Sequence, residues 1–180
     1  RILDYAIVKG LMQAPNPAAW QGNLSSLLPS KAKIQIKKNQ PALQLKDAQR
    51  WWTDLKKRDG VGASALMLLT MTASRSGEIR GMCWEEVKIF NNDEATKRGY
   101  LGIWTRPAER MKAKREHRIP ITNEMFKLIC ATNDRSGLVF VSKKLTTLSD
   151  MTLSALMKRM HQSDASGYID EYSSIPAVPH

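Results

Sequence analysis

The hydrophobic positions change period twice along the chain. Leu3, Ile7 and Leu11 share one helical face, and the Pro- and Asn-rich residues 14–17 end that helix. Residues 18–29 keep no period and read as loop. Ala48, Trp51, Trp52 and Leu55 then follow the i, i+3, i+4, i+7 spacing of an amphipathic helix, with Asp47 as its cap and Gly60 closing it. Positions 62–72 are almost entirely apolar, which marks a helix buried on all sides. A turn at 74–76 leads into a short helix ending near Trp84. Beyond it the period falls to two. Val87 and Ile89 alternate with charge, 100–104 gives a second strand and 118–121 a third. The polar segments 91–99 and 107–116 read as the hairpin connections between them. Helical spacing returns at 123–132 and 150–161, the latter with Leu153, Leu156, Met157 and Met160 on one face, and 138–141 is a short apolar stretch between the two. The order helices, small meander, helices predicts an α+β fold, mostly helical with a small antiparallel three-stranded sheet.

Charge narrows what such a fold serves. Across 180 residues, 28 Lys and Arg face 17 Asp and Glu, a net charge of +11. That excludes an acidic scaffold and makes a polyanion the expected partner. With 42% hydrophobic residues and five tryptophans the chain is not a disordered one. Its length suits one domain, or one domain with part of another. No window reaches the roughly 20 apolar residues of a membrane span; the best, 61–73, is broken by Ser64, Thr70 and Thr72. Cys83 and Cys130 form neither a disulfide framework nor a metal-ligand pair, and Cys83 reads as a buried, inert thiol. His117, His161 and His180 are too scattered for a zinc site. Asp59-Gly60-Val61-Gly62 lacks the Lys-Ser/Thr of a phosphate loop. The expectation is a protein of a reducing cytoplasm without metal or cofactor. The nine methionines, with Trp51, Trp52 and Trp84, read as core. Residues 30–42 form a basic interdomain linker, in which Lys31, Lys33, Lys37 and Lys38 stand between Pro29 and Pro41, and a domain follows from 43 to 180. By composition alone that linker is equally a solvated tail. The chain opens at Arg1 inside a helical pattern and stops after Val178-Pro179-His180, as a fragment of a longer protein would.

Two stretches hold candidate chemistry. In Thr72-Ala73-Ser74-Arg75-Ser76-Gly77-Glu78, Arg75 stands at a turn between a buried helix and the next one. Backbone N–H groups at a helix start favour an anion, and an Arg fork placed there binds phosphate bidentately. Glu78 would orient the guanidinium. The same spacing also makes an ordinary surface ion pair. The second stretch connects the second and third strands. There Arg106, Arg110, Lys112, Lys114, Arg115 and Arg118, with His117 among them, face only Glu109 and Glu116. Such a hairpin tip can track phosphates or enter a groove, or it can simply be a charged, soluble hairpin.

These residues resemble known signatures. Residues 72–84, followed by Glu85-Glu86-Val87, resemble the first signature of the tyrosine recombinases: a buried helix, a small-residue turn, Arg, two residues, an acid, then a helix leading to a strand. The hairpin resembles the second. Lys112 lies eight residues before Pro120 in Ile119-Pro120-Ile121, which is the family interval. The segment Pro107-Ala108-Glu109-Arg110-Met111-Lys112 looks most like integrases of temperate phages and integrative islands. The helix at 150–161, its loop and 175–180 are similar to the approach to the third signature, His-x-x-Arg, with His180 as its His. The resemblance covers about 43–180, the N-terminal part of a catalytic domain truncated at its C-terminus. Residues 1–29 look like the end of the preceding core-binding domain, which also binds DNA.

The resemblance implies site-specific DNA recombination or integration without metal or high-energy cofactor. In that chemistry a tyrosine attacks the scissile phosphate, forms a 3′-phosphotyrosine and frees a 5′-hydroxyl. Arg75 would stabilise charge on the phosphorane, Lys112 would be the general acid, His180 would assist phosphate binding or proton transfer, and Glu78 would hold Arg75. Lys31, Lys33, Lys37, Lys38, Arg110, Lys114, Arg115, His117 and Arg118 would contact double-stranded DNA. The family's second Arg and its nucleophilic Tyr follow the third signature, whereas Tyr5, Tyr100, Tyr168 and Tyr172 all precede His180. The fragment alone is therefore expected to bind DNA without cutting it, and to be monomeric. The whole protein is expected to act as a tetramer on two duplexes in a bacterial cytoplasm, encoded by a prophage or genomic island. The same basic surface also fits a non-catalytic DNA-binding remnant or regulator of an integrase. A role on RNA lacks the usual aromatic platforms.

Overall fold

The structure, a computed structural model, describes residues 1–29, 40–131, 135–170 and 175–179. It divides into two units, Arg1–Asn39 and Gln40–His180. In the first, α1 (Ile2–Val8) is followed by the short helical turns Trp20–Leu24 and Ser25–Leu27, where a plain loop was expected. Gly22, at φ 74°, breaks these turns from within. The lysines at 31, 33, 37 and 38 lie outside the described residues.

The second unit is organised around one apolar helix. Its helices begin with α2 (Leu45–Lys56), α3 (Val61–Thr72) and α4 (Ser76–Arg80). The sheet strands are β1 (Val87–Ile89), β2 (Gly102–Arg106) and β3 (His117–Ile121), with α5 (Asn92–Arg98) between the first two. Then come α6 (Asn123–Ile129) and α7 (Met151–Ser163). Helix α3 packs against α2, α4, α6 and α7. That explains its composition: with neighbours on every side it needs apolar residues around its whole circumference. Leu66, Leu68 and Leu69 from α3 join Trp51, Leu55, Ile79, Trp104, Ile129, Leu153 and Met160 in a single core. The sheet is antiparallel in the order β1-β2-β3, with Trp104 opposite Val87 on one side and Ile119 on the other. The α+β expectation of a mainly helical fold with a three-stranded antiparallel sheet holds.

Three local expectations change. Asp47 does not cap α2, which starts two residues earlier at Leu45. It sits in the first turn, where a negative charge suits the helix dipole, and pairs with Arg50 at 2.9 Å. Gly60 does not close α2 but precedes α3, using φ 98° to turn the chain. Residues 91–99 are not a loop. Asn91 caps α5 by accepting from the Glu94 N–H at 2.8 Å, and Gly99 ends it at φ 76°. This insertion delays β2, which begins at Gly102 rather than at 100. A Cβ on Gly102 would lie 2.3 Å from the Lys88 carbonyl oxygen, so only glycine lets β1 approach this closely.

The turn that carries the first candidate stretch is held from below. Ala73 adopts the left-handed region at φ 48°, which reverses the chain directly after α3. The buried Ser74 hydroxyl accepts from Thr72 Oγ1 at 2.8 Å. Arg75 then begins α4. At the other end of the unit, Arg50 braces the segment after α7. It pairs with Asp47 and Asp164, donates to the Gly167 carbonyl at 2.8 Å and covers the Tyr168 ring. Ile169 pairs with Pro176, and the Val178 N–H donates to the Pro41 carbonyl at 3.3 Å.

Candidate active site

Arg75 stands immediately before α4, a helix of only five residues. So short a helix contributes little dipole, and any anion binding here depends on the guanidinium itself. Its orientation comes from Glu78. Glu78 Oε2 accepts from the Arg75 backbone N–H at 3.0 Å, and Oε1 accepts from Arg75 Nη1 at 3.0 Å. The Arg75 side chain remains 66% exposed, with Nε and Nη2 bonded to no described group.

Glu78 has a second cation. Arg106 Nη1, from β2, also donates to Glu78 Oε2. Arg106 is 4% exposed and lies over the Trp104 ring. Its Nη2 reaches His117 Nδ1 on the paired strand β3. A guanidinium only donates, so His117 Nδ1 is the acceptor in this contact. Burial alone would raise the Glu78 carboxyl. The Arg75 N–H, the Arg75 guanidinium and the Arg106 charge outweigh it and hold the group below its ordinary value. Burial is also the main influence on Arg106, lowering its pKa against the opposing pull of Glu78.

A parallel tie fixes the hairpin. Arg110 Nη1 donates to Glu86 Oε1, and its Nη2 donates to the Glu78 carbonyl at 3.2 Å. Glu86 Oε2 accepts from Trp104 Nε1 at 3.0 Å. Arg110, expected at the DNA surface, thus serves to bind the hairpin to α4. Lys112 follows two residues later on the turn, exposed and in no ion pair with a described residue. Lys114, at φ 49°, and Arg115 are exposed beside it, while exposed Arg118 pairs with Glu116 at 2.6 Å. The structure therefore brings together Arg75, Glu78, Arg110 and His117, with the turn bearing Lys112 anchored to the same helix. His180 lies outside the described residues.

The residue that sequence reasoning did not single out is Arg106, counted there only among the hairpin cations. A signal existed. Trp104 and Arg106 are two apart on β2 and share a face, and Trp104 is buried, so a charge at 106 enters the core.

The described tyrosines have other tasks. Tyr168 is 1% exposed and donates to Asp164 Oδ2 at 3.2 Å, and burial with the nearby Asp164 and Asp54 charges pushes its pKa up to about 12. Tyr100 packs on Phe90, and Tyr5 belongs to the first unit. Tyr172 lies outside the described residues. The Cys83 thiol is half-buried, and burial pushes it up from its ordinary value. Among the described residues no group of His, Cys, Asp and Glu could hold a metal ion, and no helix is long and apolar enough to cross a membrane.

A family model described as the phage integrase family matches residues 28–173, which include Arg75, Glu78, Arg106, Lys112 and His117. The chain belongs to the phage integrase family. No curated protein and no solved structure matches it. Integrases of this family are tyrosine recombinases, and DNA binding comes with membership. The arginine at the start of α4 and the hairpin cations are the features of this integrase chain that suit a phosphodiester.

Acid should test the Glu78 arrangement. Its folded pKa is depressed from 4.5, so its stabilising contribution is present above that value and is lost as pH falls through the lower folded one. The melting temperature of the protein should fall more steeply below pH 4.5 than that of Glu78→Gln. Parallel acid limbs for the two proteins would mean that Glu78 carries no such linkage.

Proposed function

We propose that this chain supplies the phosphate-activating part of a tyrosine-recombinase active site. The observation that carries the reading is the Glu78 carboxylate. It takes one edge of Arg75 and leaves the other edge of the fork facing solvent, on the helix to which the Lys112 hairpin is tied. In this reading Arg75 binds non-bridging oxygens of the scissile phosphate and stabilises the charge that grows there. A tyrosine oxygen releases its proton to water and bonds to phosphorus, the bond from phosphorus to the 5′-oxygen breaks, and the Lys112 ammonium gives that oxygen a proton. His180 assists at the phosphate. In this reading the attacking tyrosine comes from outside these 180 residues, since the family's nucleophile follows the third signature and Tyr5, Tyr100, Tyr168 and Tyr172 all precede His180. The 180 residues alone bind DNA and do not cut it.

Lys31, Lys33, Lys37, Lys38, Lys114, Arg115 and Arg118 then follow the DNA backbone, with 30–42 as the linker between a core-binding domain ending in 1–29 and the catalytic domain. The whole integrase works as a tetramer on two attachment-site duplexes, carried by a prophage or integrative island in a bacterial cytoplasm. A remnant that only binds DNA would keep the basic surface but have no use for an open Arg75 fork.

Arg75→Lys separates these readings, because lysine keeps the charge and loses the fork. With the chain extended to include its tyrosine, a nicked attachment-site duplex should trap covalent complex, and Arg75→Lys should reduce the trapping rate by about 10²-fold or more. Near-normal trapping by the variant removes Arg75 from the site. No covalent complex with the unsubstituted protein makes the chain a DNA-binding remnant.

A further inference from the structure

Buried cations are rare in proteins, and this unit places one directly behind its exposed one. Arg106 is enclosed on three sides: the Trp104 ring lies 4.9 Å from its guanidinium carbon, His117 Nδ1 takes one amino group and Glu78 Oε2 takes the other. Its Nε has no hydrogen-bond partner among the described residues. Leaving a charged group in the core with an unsatisfied donor is costly, and such a pair does not by itself favour the fold over an apolar alternative. Methionine at 106 would fill similar space against Trp104 without that cost. The arrangement therefore invites an explanation other than stability.

We propose that Arg106 is a positioning residue for Arg75, acting through Glu78. This rests on the reading of Arg75 as the phosphate ligand. Glu78 Oε2 receives both the Arg75 backbone N–H and Arg106 Nη1, so the carboxylate is fixed from the strand side as well as from its own helix. Its other oxygen is then held where Arg75 Nη1 meets it. Rigidity passes from the core at Trp104, through Arg106 and Glu78, to a guanidinium that is otherwise free in solvent. Arg106 also adds positive charge that, after the two Arg75 hydrogen bonds, offsets the burial of this carboxyl, which is 11% exposed. A protonated Glu78 would lose its charge-assisted hold on Arg75. His117 completes the clamp by keeping the Arg106 plane in line with β3. Arg106 itself does not reach the substrate.

The test uses the 180-residue chain, inorganic phosphate as the probe and the side-chain N–H resonances of Arg75 as the readout. Without phosphate, the Arg75 guanidinium signals should be sharp and distinct in the unsubstituted chain and averaged in Arg106→Met. With phosphate, Arg106→Met should bind about tenfold more weakly at Arg75, the scale of one charge-assisted hydrogen bond. In a Glu78→Gln background, Arg106→Met should cause no further loss, because the two act in series. A purely structural Arg106 would lower the melting temperature and leave the Arg75 signals and phosphate affinity unchanged; that result overturns the proposal. So does an additive loss in the Glu78→Gln background. If Arg106→Met does not fold, Arg106→Lys is read in the same two ways, since it keeps the core charge and loses the fork. Sharp Arg75 signals that do not respond to phosphate in the unsubstituted chain overturn the phosphate-ligand reading instead, while their averaging in Arg106→Met still reports the coupling between the two arginines.

Discussion

Lys112→Ala in the tyrosine-containing protein should slow strand cleavage by about 10²–10⁴-fold, the usual worth of a positioned general acid. DNA binding should weaken far less. One lost phosphate contact changes the slope of log affinity against log salt by only about 0.9. The reason for separating the two effects is positional. Lys112 is exposed and pairs with no described residue, so removing it breaks none of the bonds that hold the hairpin, which should keep its shape. That shape is set by Arg110, through Glu86 and the Glu78 carbonyl, and not by the turn cations. A duplex with sulfur in place of the scissile 5′-oxygen provides the check. A thiolate leaves without a proton, so both proteins should cut that substrate at similar rates. Equal losses in binding and cleavage on the oxygen substrate would make Lys112 a phosphate clamp and end its general-acid role.

Trp104→Ala should destabilise the second unit by about 3–5 kcal/mol, as expected for a large side chain deleted from a packed core. Trp104 is 1% exposed at the centre of the sheet, opposite Val87 and Ile119. Its loss has three consequences beyond the cavity. Glu86 Oε2 loses the indole N–H, so the carboxylate that anchors Arg110 is less well held. The Arg106 guanidinium loses the ring beneath it. The hairpin loses its packed edge beside Ile119. Trp104→Phe, which keeps a ring but not the donor, should cost less than half as much, about 1–2 kcal/mol, the scale of a single hydrogen bond plus a small void. Urea midpoints measure both. An alanine variant within about 1 kcal/mol of the parent would mean that the sheet does not depend on this residue.

Much of this architecture was legible in order along the chain. Helix α3 announced itself by being apolar on every face, and α7 by the stripe of Leu153, Leu156, Met157 and Met160. The strands showed alternation, and the Arg75–Glu78 relation is local, three residues on one short helix. Helix α5 was missed for a physical reason. It is polar apart from Ala95 and buries none of its residues, so it leaves no hydrophobic period to read. Its caps, Asn91 and Gly99, were the available signs. Asp47 and Gly60 were misassigned for a related reason: each residue type suits either of two neighbouring positions, and the packing of α2 against α3 selects one.

Local order along the chain is enough to put a cation at the turn after a buried helix with an acid three residues on, and a basic hairpin after it. Those are relations between near neighbours, governed by backbone geometry and period. What that acid holds depends on long-range folding. Arg106 lies 28 residues from Glu78, and the two meet because β2 pairs with β3 and presents one face to the core beside α4. Long-range pairing is set by the burial of the whole apolar set at once, and no local spacing encodes it. The charge that steadies the exposed arginine is therefore a product of the fold.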